Sequence, residues 1–288
     1  MPLSDISKRD WRRAAVAGAL IGGVITGTLS WTLSVRSSGV ATLLGFVIGA
    51  SLFGFLLTLV GSVNVKLNDI RETVIGHVGD TRDELRSMAN VRPLLDEEML
   101  LQFGGYAMSA HFAEVVLRLL MQERPKLVVE CGSGSSTLLV ASRLKKFEGG
   151  DRRVIALDHE EKYADITRDL LSRHNLNEWA EVYTAPLESW QINDESLSWY
   201  GIDLDVLPDR KIDMLVVDGP PAESRPLARY PAIPVLKRHL SKECIIILDD
   251  GDRSGESEAA HRWAEELGCE LEYAGGARGT WILHRDHS

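Results

Sequence analysis

Lys126-Leu-Val-Val-Glu-Cys-Gly-Ser-Gly-Ser-Ser-Thr137 is the stretch on which the fold turns. Residues 127–129 are a short apolar run, the composition of a buried strand. Glu130 stands at the strand end, Gly132 and Gly134 make a turn, and a helix opens at Ser135 or Ser136. Glycine lets a backbone turn sharply and come close to a ligand, because no Cβ stands in the way. The free N–H groups at a helix start favour negative or electron-rich groups. Together they point to a nucleotide-like cofactor, against the plainer reading of an ordinary strand-to-helix turn.

Working outward, a second apolar run at residues 154–157 ends in Asp158. That acid lies about 24 residues beyond Gly134, the spacing of a carboxylate that accepts hydrogen bonds from ribose hydroxyls. Thr137 stands where a dinucleotide fingerprint has its third glycine, which disfavours NAD. The acid-x-Gly-x-Gly pattern of Glu130, Gly132 and Gly134 resembles the first motif of class I S-adenosylmethionine-dependent methyltransferases. The resemblance spans about residues 96–285. It implies a doubly wound α/β fold with a seven-stranded, mostly parallel sheet whose last strand is antiparallel. It implies S-adenosylmethionine as cofactor, with contacts from Glu130, Gly132, Ser133, Gly134, Ser136, Asp158, His159, Leu187 and Asp218. Asp158 would take the ribose, and residues 185–187 would lie near adenine.

Apolar runs and helical stripes alternate through the rest of this region. Residues 109–122 carry a stripe of Phe112, Val115, Val116, Leu119 and Leu120. Strands follow at 181–184, 214–217 and 244–248, with helices at 136–147, 162–174, 227–240 and 256–267. Pro231 and Pro234 make the start of the third of these irregular. A closing hairpin is expected at 270–273 and 280–283. Strands alternating with helices imply a parallel sheet covered on both faces. The long stretch 185–211 holds Trp190, Trp199 and Tyr200 among acids. These aromatics either wall a substrate or pack the insert onto the domain.

In open parallel sheets ligands bind beyond the carboxyl ends of the strands. Glu130, Asp158, Asp218, Asp249 and Asp250 all fall there. Asp218, Asp249 and Asp250 can hold a hard divalent ion such as Mg²⁺ through oxygen ligands. A metal-dependent subset of small-molecule O-methyltransferases is similar, with an acid after strand four and Asp-Asn after strand five. Here the pair is Asp-Asp, a departure from that pattern. The alternative is that Asp249 and Asp250 cap a helix or bond loop amides. Asp218 is the catalytic candidate. Arg225, Arg229 and Arg253 are candidates for an anionic substrate, or for surface pairing with nearby acids. His159, His239 and His261 are bases by residue type only.

Ahead of this domain lie two uncharged runs, residues 14–35 and 37–65, each long enough to cross a bilayer's ~30 Å core. Only Arg36 separates them, and no small-x-small cleavage site marks the first as a signal peptide. Lys8, Arg9, Arg12 and Arg13 precede the pair and Lys66 and Arg71 follow it, so both ends should face the cytoplasm. Stripes of small residues (Ala14, Gly18, Gly22, Thr26; Ala41, Gly45, Gly49) suit close helix packing and leave homo-oligomers open. The expected organisation is a two-span transmembrane hairpin over 1–65, a helical linker over 66–92 that Gly76 and Gly79 weaken, and the α/β domain over 93–288.

The chain has 288 residues and a formal net charge of -10, with 42 acidic against 32 basic residues. That balance disfavours nucleic acid, whose phosphates it repels. Cys131, Cys244 and Cys269 are spaced for neither zinc nor a disulfide framework. The expected activity is membrane-anchored methylation of a small-molecule, glycan or lipid-linked acceptor, with Mg²⁺ or another divalent ion as a conceivable aid. The competing reading is a membrane-anchored binding or scaffold protein that keeps the fold without catalysis.

Overall fold

A computed structural model describes residues 39–285 except 97–98, 100, 102, 105–106 and 222–226; side chains are described from residue 45 onward. The first apolar run, Arg36 between the runs, and Arg225 lie outside the described residues. Contacts divide the chain into two units, 1–79 and 80–288.

The described part of the first unit, from residue 39 onward, is helix. Helix α1 (Gly39–Val91) continues through Gly76 and Gly79 into the second unit. Among the described residues it is long and apolar enough to cross a membrane, and its apolar window is only 6% buried. Val47, Leu52, Phe55, Leu56 and Leu59 are all exposed. Its hydroxyls turn inward: Ser51, Thr58 and Ser62 donate to the carbonyls of Val47, Phe55 and Leu59 at 2.7–2.8 Å. Back-bonding of this kind satisfies a hydroxyl without water.

The second unit is a doubly wound sheet. In chain order it holds α2 (Ala110–Glu123), β1 (Leu127–Cys131), α3 (Ser135–Lys145), β2 (Arg153–Asp158), α4 (Glu161–Arg173) and β3 (Ala180–Thr184). There follow β4 (Leu187–Ile192), β5 (Glu195–Tyr200), β6 (Ile212–Val217), α5 (Ala232–Leu236), β7 (Leu240–Leu248), α6 (Ser254–Leu267), β8 (Glu270–Tyr273) and β9 (Trp281–His284). The main sheet has the order β3-β2-β1-β6-β7-β9-β8. β9 pairs antiparallel with both β7 and β8, and the remaining pairings are parallel. The chain winds outward from β1 in both directions, so the topological switch lies between β1 and β6.

Strand alternation sorts the core into two layers. Val128, Val154, Ala156, Met214, Val216 and Ile247 pack with Phe112, Val116 and Leu120 of α2 and with α3. Leu127, Val129, Ile155, Leu215, Val217 and Ile246 face the other way, against α5, Ala260 and Trp263. A period of two on strands buried on both faces makes every position apolar, which is why β1 reads as a continuous run.

Two elements differ from expectation. The third expected helix, 227–240, shrinks to α5 and a 3₁₀ turn at Lys237–His239. β7 starts at Leu240, four residues before the expected strand, and Pro231 holds the helix start back. The insert 185–211 contains an antiparallel hairpin, β4–β5, as a separate two-stranded sheet. Asn193 and Asp194 both have positive φ (49° and 66°), the geometry of a tight hairpin turn that these two residue types tolerate. Trp199 and Tyr200 are fully buried in the core layer, so packing decides their role and the substrate-wall reading does not hold for them. Cys131 and Cys244 are buried strand residues.

Candidate active site

The carboxyl ends of five parallel strands, β3, β2, β1, β6 and β7, meet on one rim, stepped together by backbone bonds. Gly132 N donates to Leu157 O at 2.8 Å, Asp218 N to Cys131 O at 2.9 Å, Asp249 N to Val217 O at 3.1 Å and Ala185 N to Asp158 O at 2.7 Å. Each residue after a strand is thereby pinned to its neighbour, and the acids expected at these ends are brought to one edge.

At the tip of β1 the glycines have different tasks. Gly132 has φ +101, and a Cβ there would meet the Asp218 carbonyl carbon and Gly219 nitrogen at 3.3 Å. The turn needs glycine for both conformation and close approach. Gly134 has φ +155, and a Cβ there would meet nothing within 4 Å, so that side of the loop is open. Glu130 is completely buried. One of its oxygens accepts from Thr137 Oγ1 at 2.6 Å, and Thr137 Oγ1 in turn accepts from Gly134 N at 3.1 Å. Thr137, at the position where a dinucleotide fingerprint wants glycine, thus locks the loop to the strand. The other oxygen of Glu130 makes no well-formed hydrogen bond, although the Ser136 hydroxyl lies close enough to act on the carboxyl.

Burial pushes the Glu130 carboxyl up to about 8; hydroxyls of Ser136 and Thr137 pull it back, while Asp218 and Asp158 push further. A carboxyl raised in the folded state stabilises fully below its ordinary value of 4.5, and that stabilisation is lost as pH rises through about 8. Glu130→Gln should therefore flatten the fall in stability over that window. Thermal unfolding across the pH range should show the variant gaining on the wild type toward the alkaline end. A difference independent of pH would contradict the assignment.

Asp158, at the tip of β2, is also buried. Its Oδ2 accepts from Ser133 Oγ at 2.6 Å and Ser133 N at 3.3 Å, and its Oδ1 accepts from Glu160 N at 3.0 Å. Ser133 Oγ has a second partner in Thr167 Oγ1 at 3.1 Å. His159 lies beside this group, 3.7 Å from Asp158 Oδ1. Glycine turn and ribose-type acid are thus in direct contact. Ser136 is buried at the start of α3. Leu187 opens the hairpin, paired with Tyr200, and is half-buried. His239 falls in the 3₁₀ turn before β7, at the opposite, amino end of the sheet, so it is not a candidate base for this rim. His261 sits on α6 with Nδ1 at 2.7 Å from Ser257 O and its ring edge-on to Trp281.

The second cluster gathers Asp218, Asp249 and Asp250, each offering an oxygen within 4.8 Å of the others. A guanidinium shares it. Arg229, 3% exposed, donates from Nη2 to Asp250 Oδ2 at 2.7 Å and to Asp218 Oδ1 at 3.4 Å. Its Nη1 donates to the Asp249 backbone oxygen at 2.8 Å, and its Nε lies 3.8 Å from Glu256 Oε1. Arg253 adds a contact to Asp250 Oδ2 at 2.9 Å. Asp250 holds φ +55, a left-handed turn that aspartate tolerates. Both side-chain oxygens of Asp249 are buried without a partner, and burial, then Asp218 and Asp250, push its carboxyl up to about 8. Asp218, whose side chain is 22% exposed, is raised to about 6 by burial, with Arg229 opposing. Mg²⁺ ligand oxygens sit about 2.1 Å from the ion, hence roughly 3 Å from one another. Two of the three carboxylates that would supply them are already bound to Arg229, so the residues fit a divalent ion poorly. The sequence left Arg229 between an anionic substrate and surface pairing with acids; it pairs with acids, but in the interior. Its neighbours Ala228 and Tyr230 are buried, a local hint that the arginine is too.

Residues 129–251 match a protein-family model described as a methyltransferase domain. The stretch runs from β1 to just beyond the tip of β7 and contains every acid of the rim. Comparison with curated protein sequences gives no significant match. Among solved structures, an O-methyltransferase from Bacillus cereus in complex with SAH is 16% identical, covering 72% of this chain and 91% of that one, with a TM-score of 0.45. An O-methyltransferase involved in tomaymycin synthesis from Streptomyces achromogenes, in complex with SAM, is 13% identical over 70% and 89% of the two chains, with a TM-score of 0.43. A precorrin-6y C5,15-methyltransferase from Geobacter metallireducens is 17% identical over 67% and 97%, with a TM-score of 0.47. The strand order of the second unit is the one expected of the class I methyltransferase fold, and residues 129–251 within it match a methyltransferase-domain model.

Proposed function

We propose that the chain is a membrane-anchored, S-adenosylmethionine-dependent O-methyltransferase, its cofactor held between the tips of β1 and β2. The observation that carries this reading is the contact between the Gly132–Gly134 loop and Asp158, with the loop open at Gly134 and locked beneath by Thr137 and Glu130. The open side and the N–H groups at the start of α3 suit a ligand with polar and charged groups. One oxygen of Glu130 is a buried acceptor without a well-formed hydrogen bond, which a ligand N–H or ammonium can satisfy. Asp158 takes the ribose hydroxyls; His159 and Leu187 flank the nucleoside.

When bound, the cofactor supplies a methyl group already activated on a sulfonium. The protein must align an acceptor oxygen with it and take the acceptor's proton. Asp218 is the proton acceptor in this reading, because a carboxyl near 6 is ionised at neutral pH yet basic enough to work. Methyl transfer should rise with pH through that region, and Asp218→Asn should remove the dependence along with most of the rate. An unchanged pH profile in the variant would assign the proton to another group.

The acceptor is proposed to be a small molecule, glycan or lipid-linked compound at the cytoplasmic face of a bilayer. A bare apolar helix, α1, supports the anchor. A polar cleft of about 520 Å³, lined by Arg86, Ser87, His111, Glu114 and Arg118, is the acceptor candidate. It also touches Gly276 of the β8–β9 loop. That loop's Gly279 and Arg278 carbonyls accept from Gly251 and Asp252, just past the tip of β7. Incubation of the full-length chain in lipid vesicles with methyl-tritiated S-adenosylmethionine and fractionated membrane extracts tests the whole. Label should pass into one extractable fraction. Cofactor binding with no transfer to any fraction would favour the scaffold reading.

A further inference from the structure

The Asp218, Asp249, Asp250 and Glu256 carboxylates come from three separate places: the tip of β6, the tip of β7 and the start of α6. One guanidinium reaches all three places, although the Asp249 carboxylate itself stays without a hydrogen bond. Arg229 bonds two of the side chains and the Asp249 carbonyl, and lies 3.8 Å from the fourth residue. A divalent ion ligated by Asp218 and Asp250 would compete for the oxygens that Arg229 Nη2 already holds and would bring a second cation against a buried guanidinium. Arginine stays charged at any pH the protein meets, and its planar fork matches carboxylates.

We propose that Arg229 is the resident cation of this cluster, tying the tips of β6 and β7 together in the place a divalent ion would take and making methyl transfer independent of metal. It acts through Asp218, so it is a positioning residue. The activity arm of this inference rests on the methyl-transfer reading; the ion-binding arm does not.

The test uses the full-length chain in detergent, titrated with Mn²⁺ while free Mn²⁺ is followed by electron paramagnetic resonance. The wild type should leave the free signal unchanged into the millimolar range. Arg229→Met, which removes the charge and keeps much of the bulk, should take up one ion per chain at least about tenfold more tightly, because it leaves buried carboxylates seeking a cation. Circular dichroism confirms that the variant is folded. If it is not, Arg229→Lys replaces it, since a compact ammonium cannot span the cluster and should give uptake above the wild type. Uptake of one ion by the wild type, abolished by Asp249→Asn, overturns the proposal. A folded variant that takes up no more Mn²⁺ than the wild type overturns it as well. In the activity arm, chelation should leave wild-type methyl transfer unchanged, and loss on chelation counts against it. A chain that never transfers methyl groups sinks the function yet leaves the titration to decide the cation.

Discussion

Asp158→Ala should weaken S-adenosylmethionine binding by the full-length chain by about a hundredfold or more, since a hydrogen bond to a charged group contributes ~1.5–3 kcal/mol and two ribose hydroxyls are involved. The carboxylate has about four acceptor positions, and three are in use: two for Ser133 and one for the Glu160 amide. A ribose must therefore displace at least one donor. Ser133 Oγ is the one with somewhere to go, because Thr167 Oγ1 already lies at 3.1 Å. Ser133→Ala should thus shift affinity by only a fewfold, in either direction, while Asp158→Ala removes nearly all of it. Isothermal titration of the pair separates the cases. Equal losses in both variants would mean that Asp158 serves the loop and not the nucleoside.

The second large effect belongs to Gly132→Ala, expected to cost about 2–4 kcal/mol of folding stability, from forcing a side chain into a sparsely populated backbone region and from overpacking. Its φ of +101 is unfavourable for any residue with a Cβ, and the new methyl would press on backbone atoms of Asp218 and Gly219 at 3.3 Å. Backbone cannot swing aside as a side-chain end can. Gly219 is held in turn, since a Cβ on it would come within 2.5 Å of the buried Tyr200 Oη. The strain therefore passes to the tip of β6, so cofactor affinity should fall with stability. Gly134→Ala tests the contrast: open space surrounds its Cβ and only φ opposes it. Urea unfolding of the two variants measures the difference. Equal stability losses would show that packing at Gly132 does not matter.

The strands and their terminal acids were legible because a strand buried on both faces must be apolar throughout, and its first polar residue marks the tip. Glu130, Asp158, Asp218 and Asp249 could each be placed at a rim on that basis alone. The β4–β5 hairpin was not legible. Neither strand alternates cleanly between buried and exposed positions, and Asn193-Asp194 lacks the glycine that marks most such turns. Arg229 illustrates the deeper limit. An arginine beside prolines and acids reads as a surface residue, and only the convergence of β6, β7 and α6 buries it. The acid triad was visible as residue types; the cation that binds two of its side chains and the third residue's carbonyl was a tertiary fact.

The account stands most directly on cofactor binding. Isothermal titration of S-adenosylmethionine into the full-length wild-type chain, with S-adenosylhomocysteine as competitor, should give one site per chain that the competitor blocks and that Asp158→Ala removes. No binding of either compound to a folded chain would contradict the proposal that the tips of β1 and β2 hold this cofactor.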